Sequence, residues 1–472
     1  MKKSIRLIAR LDIKSENVIK GVAFEGLRVI GSPKDLALEY TKQGADELLY
    51  IDTVASLYGR NNLTHILKDM SKAIDIPITA GGGITSLKDI DKLLRAGADK
   101  VAINTHAVKN PDFIVKAVEK YGSQCIVASI VVKKSKNETW KVWTDNAREV
   151  TNIDALDWIT KVQELGVGEI LLTSIDNDGT LKGLDFDLIS NVSQYINVPL
   201  IVGGGFNLSD IGRSNNCDCS FDAIAIGSVL HYSKHTIRDI KSELTRSKFQ
   251  IRSQDNKHNS LALNCQQKKV SIIDYGVGNI FGLIQSLEKI GANVNLIKTV
   301  DEIEGAERII LPGVGSFTSA MKALHNLKIV NALRVFAHSG KPIMGICLGA
   351  QILLERGFEG SECKGLSLIP GEVRLIERKT CKIPHIGWRV LNKEGKSLCN
   401  IFNGTICDPV YFVHSYEMIT EEKYINSTVD YCNKKIISGV SRGNILGVQF
   451  HPEKSSSEGE KILFNFISNY NV

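Results

Sequence analysis

The sequence predicts an α/β protein of two domains, an N-terminal (β/α)8 barrel followed by a second α/β domain built around a tight strand-to-helix turn. Three observations carry this. Short β-rich apolar runs alternate with longer amphipathic segments through residues 5–245, the pattern of a parallel sheet with helical crossovers. Three motifs in that stretch recur in the same order about 120 residues later. Beyond it, Gly345-Ile346-Cys347-Leu348-Gly349 ends one apolar run and opens a helix-like one, the spacing of a nucleophile elbow. At 472 residues the chain is also too long for one ordinary domain. The expected organisation is a barrel over 1–246, a linker over 247–268 and the second domain over 269–472.

Bulk properties narrow the class. An apolar content of 43% with 23% charged residues is ordinary globular composition. The net charge of +6 is spread along the chain without a block of like charges, which argues against a nucleic-acid partner. No apolar run reaches the ~18–20 residues of a membrane span, and Met1-Lys2-Lys3-Ser4-Ile5-Arg6 lacks a signal peptide's apolar core. Ten cysteines occur with no C-x-x-C spacing, and Cys217 and Cys219 are one residue apart. That suits neither a structural metal site nor a disulfide framework. Reduced thiols, a cytoplasmic location, no metal and no cofactor are therefore expected.

In the first half, expected strands include Leu48–Ile51, Ile76–Thr79, Lys100–Ile103, Ile126–Val132, Ile170–Thr173, Leu200–Val202 and Ala223–Ile226, with helical patterns such as Asp35–Gln43 and Leu87–Ala96. The echoes pair Gly44–Asp52 with Gly166–Asp176, Ile78–Gly83 with Ile201–Gly205, and Ala98–Asn104 with Asp222–Gly227. Duplication of a four-strand half that closes into a barrel explains them better than an open sheet. Two strand-end loop sets then match each other. Gly81–Gly83 with Asn104 and Thr105 form one. Asp178, Gly179 and Thr180 with Gly203, Gly204, Gly205 and Ser228 form the other. Bare N–H groups and small hydroxyls at such loops suit phosphate, so two matched sets suggest a ligand with a phosphate at each end. A single set would read more simply as tight turns.

In the second half, the elbow places Cys347 at a helix N-terminus, a setting that favours nucleophilic sulfur. A buried core cysteine is the plain alternative. Two distant features weigh against it: His451 with Glu453 two residues on, the partners such a nucleophile needs, and the glycine-rich turn Gly313-Val314-Gly315, able to aim N–H groups at an oxyanion.

With Asp274-Tyr275-Gly276-Val277-Gly278-Asn279 and Tyr411–Tyr416, these motifs resemble the class I glutamine amidotransferases, above all the glutaminase subunits of imidazole glycerol phosphate synthases, over nearly all of residues 269–472. The barrel resembles the cyclase subunits of the same family over about residues 4–245, through Leu11-Asp12-Ile13-Lys14, Val18-Ile19-Lys20-Gly21, Gly44–Asp52, Ile103-Asn104-Thr105 and Leu172–Thr180. The resemblance implies glutamine hydrolysis at Cys347 with His451 and Glu453, and glutamine binding by Gln351 and Tyr416. It implies ammonia transfer to a bis-phosphorylated ribotide held with Lys20 and closed into an imidazole, as in histidine biosynthesis. It further implies an ammonia gate of Arg6, Glu47, Lys100 and Glu169, and a docking pair of Asp99 and Lys454. Asp12 matches the first of two cyclase acids. The second position holds Val131, and no Asp or Glu lies between Glu119 and Glu138. Valine moves no proton, and losing one acid/base typically costs about 10²–10⁴-fold. Asp178 is a candidate substitute.

Ile8–Asp12, Phe24–Arg28 and Ala55–Arg60 resemble instead a paralogous branch from surface-polysaccharide pathways, whose members are thought to supply ammonia to a separate sugar amidotransferase. Both readings stay open at this stage. The linker, rich in Ser, Asn, Gln and Lys, is expected to be a tether spanning roughly 25 Å.

Overall fold

The computed structural model describes residues 4–55, 63–215, 219–252, 265–276, 279–377, 381–393, 400–403, 405 and 408–469. The chain divides into two compact units near residue 254. Residues 56–60 of the Ala55–Arg60 motif, Val277, Gly278, Cys217 and linker residues 253–264 lie outside the described residues.

Eight parallel strands form the first unit: β1 (Arg6–Lys14), β2 (Glu47–Asp52), β3 (Ile78–Gly81), β4 (Lys100–Ile103), β5 (Ile126–Lys134), β6 (Glu169–Ser174), β7 (Leu200–Gly203) and β8 (Ala223–Ile226). Each pairs with the next, and β8 pairs back to β1, closing the barrel. Its interior is packed by Ile8, Leu49, Ala102, Val127, Leu171, Ile201, Ala223 and Ala225, branched and small side chains that fill a barrel as a core. The helices between strands begin where their sequences say they should. Ser32 caps Pro33–Gln43, whose first residue is proline, and Ser86 with Asp89 forms a capping box on Leu87–Arg95.

Two departures from the sequence reading concern strand ends. The third strand starts at Ile78 rather than Ile76, because Pro77 has no N–H for the ladder and contributes only its carbonyl, to Leu48. Hairpins, unforeseen, extend two strands at their C-terminal ends: Asn17–Val22 with Glu25–Gly31 after β1, and Trp140–Thr144 with Glu149–Asp154 after β5. Residues beyond 246 pack on the barrel: Phe249 is buried, and Gln250 accepts from the Ile5 N–H at 3.3 Å.

The second unit is built on an eight-stranded sheet. Five parallel strands run in the order 293–297, 269–273, 309–311, 343–346 and 445–448. Strands 434–442, 425–431 and 392–393 continue it antiparallel. Apolar clusters cover it, one including Leu311, Phe317, Leu348 and Leu353, the other Ile272, Met344, Phe412 and Phe450. One expectation fails here. Cys381 and Cys432 form a disulfide, with Cα atoms 5.4 Å apart and a separation of 51 residues. Cysteine spacing could not show it, because the fold brings together the loop ahead of the strand His385–Arg389 and the turn between the strands Ile425–Tyr431 and Lys434–Arg442. No helix among the described residues is long and apolar enough to cross a membrane.

The barrel floor carries four buried charges. Arg6, Glu47, Lys100 and Glu169 each open a strand, and they form a closed cycle. Arg6 reaches Glu47 and Glu169 at 2.5 Å, and Lys100 reaches the same two carboxylates at 2.8 and 2.6 Å. Glu47 is held below the usual carboxylate range: burial opposes its charge, and Arg6 and Lys100 overcome that. Breaking a buried pair leaves an uncompensated charge. Lys100→Met should therefore destabilise the barrel by about 3–5 kcal/mol, read as a lower denaturation midpoint for that unit.

Candidate active site

In the second unit, Cys347 sits between the strand Ile343–Ile346 and the short helix Leu348–Ile352. Its backbone is strained, with φ 52° and ψ −109°, a conformation that persists only when its surroundings impose it. The surroundings do. Its N–H donates to the Val448 carbonyl at 2.7 Å, and its carbonyl accepts from the Gln351 N–H at 3.1 Å. The flanking glycines answer a packing demand: a Cβ on Gly349 would lie 1.9 Å from the Leu311 carbonyl oxygen, and one on Gly345 would lie 2.4 Å from that of Gly349. Gly313 likewise packs on the elbow, its Cβ position falling 2.3 Å from the Gly349 nitrogen. The Gly313–Gly315 turn thus passes beside the helix N-terminus that follows Cys347.

His451 and Glu453 meet the elbow from the segment after the strand Ile445–Val448. His451 Nδ1 lies 2.8 Å from Glu453 Oε1, and both residues are buried. The other ring nitrogen has no nitrogen or oxygen partner among the described residues and interacts with the Cys347 sulfur. Burial alone would lower the His451 pKa. The Cys347 sulfur and the Glu453 carboxylate outweigh it and hold the pKa well above the ordinary value. Such a group adds stability that is complete below its unfolded value of about 6.5 and is lost as pH rises through the raised folded value.

Sequence reasoning did not single out Gln449, which borders the sulfur, or the buried histidine pair His385–His414. Gln449, fully buried, donates from Nε2 to Cys347 Sγ at 3.6 Å and accepts from Gln351 Nε2 at 3.0 Å. Gln351 also donates to the Tyr416 carbonyl at 3.1 Å, so its amide is tied into the site's frame. His414 shares that carbonyl at 2.8 Å and meets His385 at 3.0 Å. Burial pushes His414 down to about 4, with the His451 charge adding to the effect. Gln449 was signalled by its place two residues before His451; the histidine pair had no such signal.

In the first unit, the matched loop sets fall at the C-terminal ends of the strands, where two recesses are lined by part of each set; Gly81, Gly179, Thr180 and Gly203 are not among the lining residues. A cavity of about 190 Å³ is lined by Gly82, Gly83, Asn104, Thr105, Ser129 and Val131, among others. A smaller recess is lined by Lys20, Asp178, Gly204, Gly205 and Ser228. Ser228 Oγ is buried there without a hydrogen-bond partner among the described residues, a hydroxyl suited to an incoming acceptor. Asn104, by contrast, spends its amide on the Ser129 carbonyl at 2.8 Å, and Thr105 Oγ1 accepts from the Asp145 N–H at 2.9 Å. Gly179 packs under the first hairpin, its Cβ position 2.1 Å from the Gly21 carbonyl oxygen. Asp99 caps the start of β3 by accepting from the Ile78 N–H at 2.8 Å, and Lys454 is buried.

Between the recesses lies a chain of charges. Lys20 Nζ is 3.0 Å from both Asp12 and Asp178, and Arg10 Nε is 2.8 Å from Asp12. Burial opposes ionisation of Asp12, yet Arg10 and Lys20 hold its carboxyl well below the usual range. Val131 lines the cavity as an apolar wall. Among the described residues no group of three or more His, Cys, Asp or Glu is arranged to hold a metal ion.

Fold and site together define a (β/α)8 barrel joined to a class I amidotransferase unit. Residues 6–236 match the family described as histidine biosynthesis protein, and residues 271–470 match glutamine amidotransferase class-I. The barrel is 56% identical over 202 residues to the imidazole glycerol phosphate synthase subunit HisF of Legionella pneumophila, covering 43% of this chain and 95% of the relative. It is 45% identical over 252 residues to the same subunit of Prochlorococcus marinus (strain MIT 9312), covering 53% and 98%. With that of Dictyoglomus thermophilum it shares 41% over 248 residues, covering 52% and 98%. The chain belongs to the histidine biosynthesis protein family, with a class I glutamine amidotransferase domain fused behind the barrel.

Two outcomes check the elbow. Cys347→Gly should relieve the left-handed backbone and be more stable than Cys347→Ala by about 1 kcal/mol, measured as melting temperature, with glutamine hydrolysis lost in both. Glu453→Gln should lower the His451 pKa, followed by the imidazole resonances in an NMR titration.

Proposed function

We propose that this chain is a glutamine-dependent enzyme of the imidazole glycerol phosphate synthase type, hydrolysing glutamine in its second unit and using the ammonia in its barrel. Cys347 attacks the carboxamide carbon of glutamine. His451, oriented by Glu453, takes the sulfur's proton and passes it to the leaving nitrogen, so that ammonia departs and a thioester remains. Water then releases glutamate. Backbone N–H groups near Gly313, Val314 and Gly315 and after Cys347 hold the oxyanion, with Gln351 and Tyr416 framing the glutamine site.

In the barrel, the two recesses seat the phosphates of a ribotide, through Gly83, Asn104 and Thr105 at one end and Gly179, Gly204, Gly205 and Ser228 at the other. Asp12, with Lys20 and Asp178 beside it, stands between them for the proton transfers of ring closure. Ammonia enters past Arg6, Glu47, Lys100 and Glu169. The observation that carries this reading is the pair of matched recesses flanking Asp12 in the same chain as the Cys347, His451 and Glu453 set.

One observation favours a second reading. The cavity wall holds Val131, and Asp12 is committed to ion pairs with Arg10 and Lys20. A barrel that binds its ligand without ring closure would make the chain a glutaminase supplying ammonia to a separate enzyme, such as a sugar amidotransferase. The test bypasses glutamine: the full chain, and its Cys347→Ala variant, receive the ribulosyl ribotide with an ammonium salt at alkaline pH. Turnover in both is the expected result. Absence of turnover in a preparation with intact glutamine hydrolysis would displace the synthase reading.

A further inference from the structure

His451 serves the Cys347 sulfur in the mechanism above, and a second side chain reaches that sulfur from the same segment. The strand Ile445–Val448 ends by offering the Val448 carbonyl to the Cys347 N–H at 2.7 Å. The next residue, Gln449, is fully buried, and its backbone N–H is fixed on the Ser438 carbonyl at 2.9 Å. From there its side chain extends to Cys347, placing Nε2 3.6 Å from Sγ. Two other neighbours of the sulfur are not donors to it. The Val413 carbonyl lies 3.9 Å away as an acceptor, and Tyr275, within electrostatic range, spends its hydroxyl on the Pro312 carbonyl at 2.5 Å.

A more distant backbone group decides which end of the Gln449 amide faces the sulfur. The Tyr416 carbonyl can only accept, so Gln351 turns Nε2 toward it, at 3.1 Å. The second N–H on that nitrogen needs an acceptor in turn and finds Gln449 Oε1 at 3.0 Å. With its oxygen so engaged, Gln449 presents Nε2 to Cys347. His414 Nδ1 lies 2.8 Å from the same Tyr416 carbonyl and anchors the far end of the row. The Gln449 amide is therefore a buried donor whose orientation is imposed.

We propose that Gln449 is a catalytic group of the amidotransferase unit, an N–H donor that stabilises negative charge on the Cys347 sulfur. This rests on the glutamine-hydrolysis reading above and deepens it. The sulfur takes up that charge at two points in a turnover. First His451 removes its proton, leaving an electron pair on sulfur for attack on the carboxamide carbon. Later a water oxygen bonds to the thioester carbon, the C–S bond breaks, and its electron pair returns to the sulfur, which recovers a proton from His451. A hydrogen bond to an ionised group is roughly twice as strong as one between neutral groups, so the donor favours both events. Gln449 itself transfers no proton.

Two variants of the full chain separate this role from a structural one. Gln449→Met keeps the side-chain length and removes both polar ends. Gln449→Glu keeps an oxygen for Gln351 but turns a second oxygen, in place of the N–H, toward the sulfur. Alkylation of Cys347 by iodoacetamide at neutral pH, without substrate and followed by mass spectrometry of its peptide, reads the sulfur directly. It should slow about tenfold in Gln449→Met and at least as much in Gln449→Glu, the scale of one charge-assisted hydrogen bond. The kcat for glutamine hydrolysis should fall in parallel, with KM changed less than about threefold in Gln449→Glu, where Gln351 keeps its partner. Alkylation at the unaltered rate in Gln449→Glu would mean that Gln449 only holds Gln351 in place, and would overturn the proposal. An unchanged rate in Gln449→Met overturns it equally, and that variant decides alone if the glutamate variant does not fold. If the unaltered chain hydrolyses no glutamine, the hydrolysis reading falls, and the alkylation rates still decide whether Gln449 supports charge on the sulfur.

Discussion

Eight charged side chains are buried at the two ends of the barrel, and their burial depends on their coming in two balanced sets of four. Arg6, Glu47, Lys100 and Glu169 close the floor, and Arg10, Asp12, Lys20 and Asp178 form a chain at the mouth. Moving a single ion out of water costs several kcal/mol even after relaxation, and only an opposite charge at hydrogen-bond distance offsets it. Each set alternates in sign, so no member can change without leaving another exposed to that cost. The apolar core between them then packs as an ordinary barrel interior.

The same balance shapes the chemistry. At the mouth, Asp12 is held ionised by its two cationic neighbours, which suits a group that accepts a proton more than one that must first give one. With valine at position 131, the carboxylate that pairs with Arg10 is Asp12, within the balanced set.

The amidotransferase unit is organised by backbone contact. Leu311, Gly345 and Gly349 approach so closely that no side chain fits, and that approach forces Cys347 into its left-handed conformation and turns the sulfur toward His451. Gln449 and Gln351 then brace the site through amide hydrogen bonds. The strain at Cys347 is local, and the sheet that carries Leu311, Gly345 and Val448 on adjacent strands sustains it.

Much of this was legible in the sequence, because it rests on local pattern. The barrel's internal echoes, the capped helices, the glycine spacing at the elbow and the His451–Glu453 pair each lie within a few residues of chain, where periodicity and backbone sterics suffice. Arg10 was harder to see: one charge inside an apolar strand has no meaning until Thr173, Phe24 and Asp12 are placed around it, and those come from distant segments. The disulfide between Cys381 and Cys432 and the histidine pair His385–His414 were invisible for the same reason. Sequence by itself determined which elements form and which residues can do chemistry, since both follow from side-chain type and short-range geometry. Tertiary structure alone decided which charges meet and neutralise one another, because partners 41 to 163 residues apart meet only when the barrel closes.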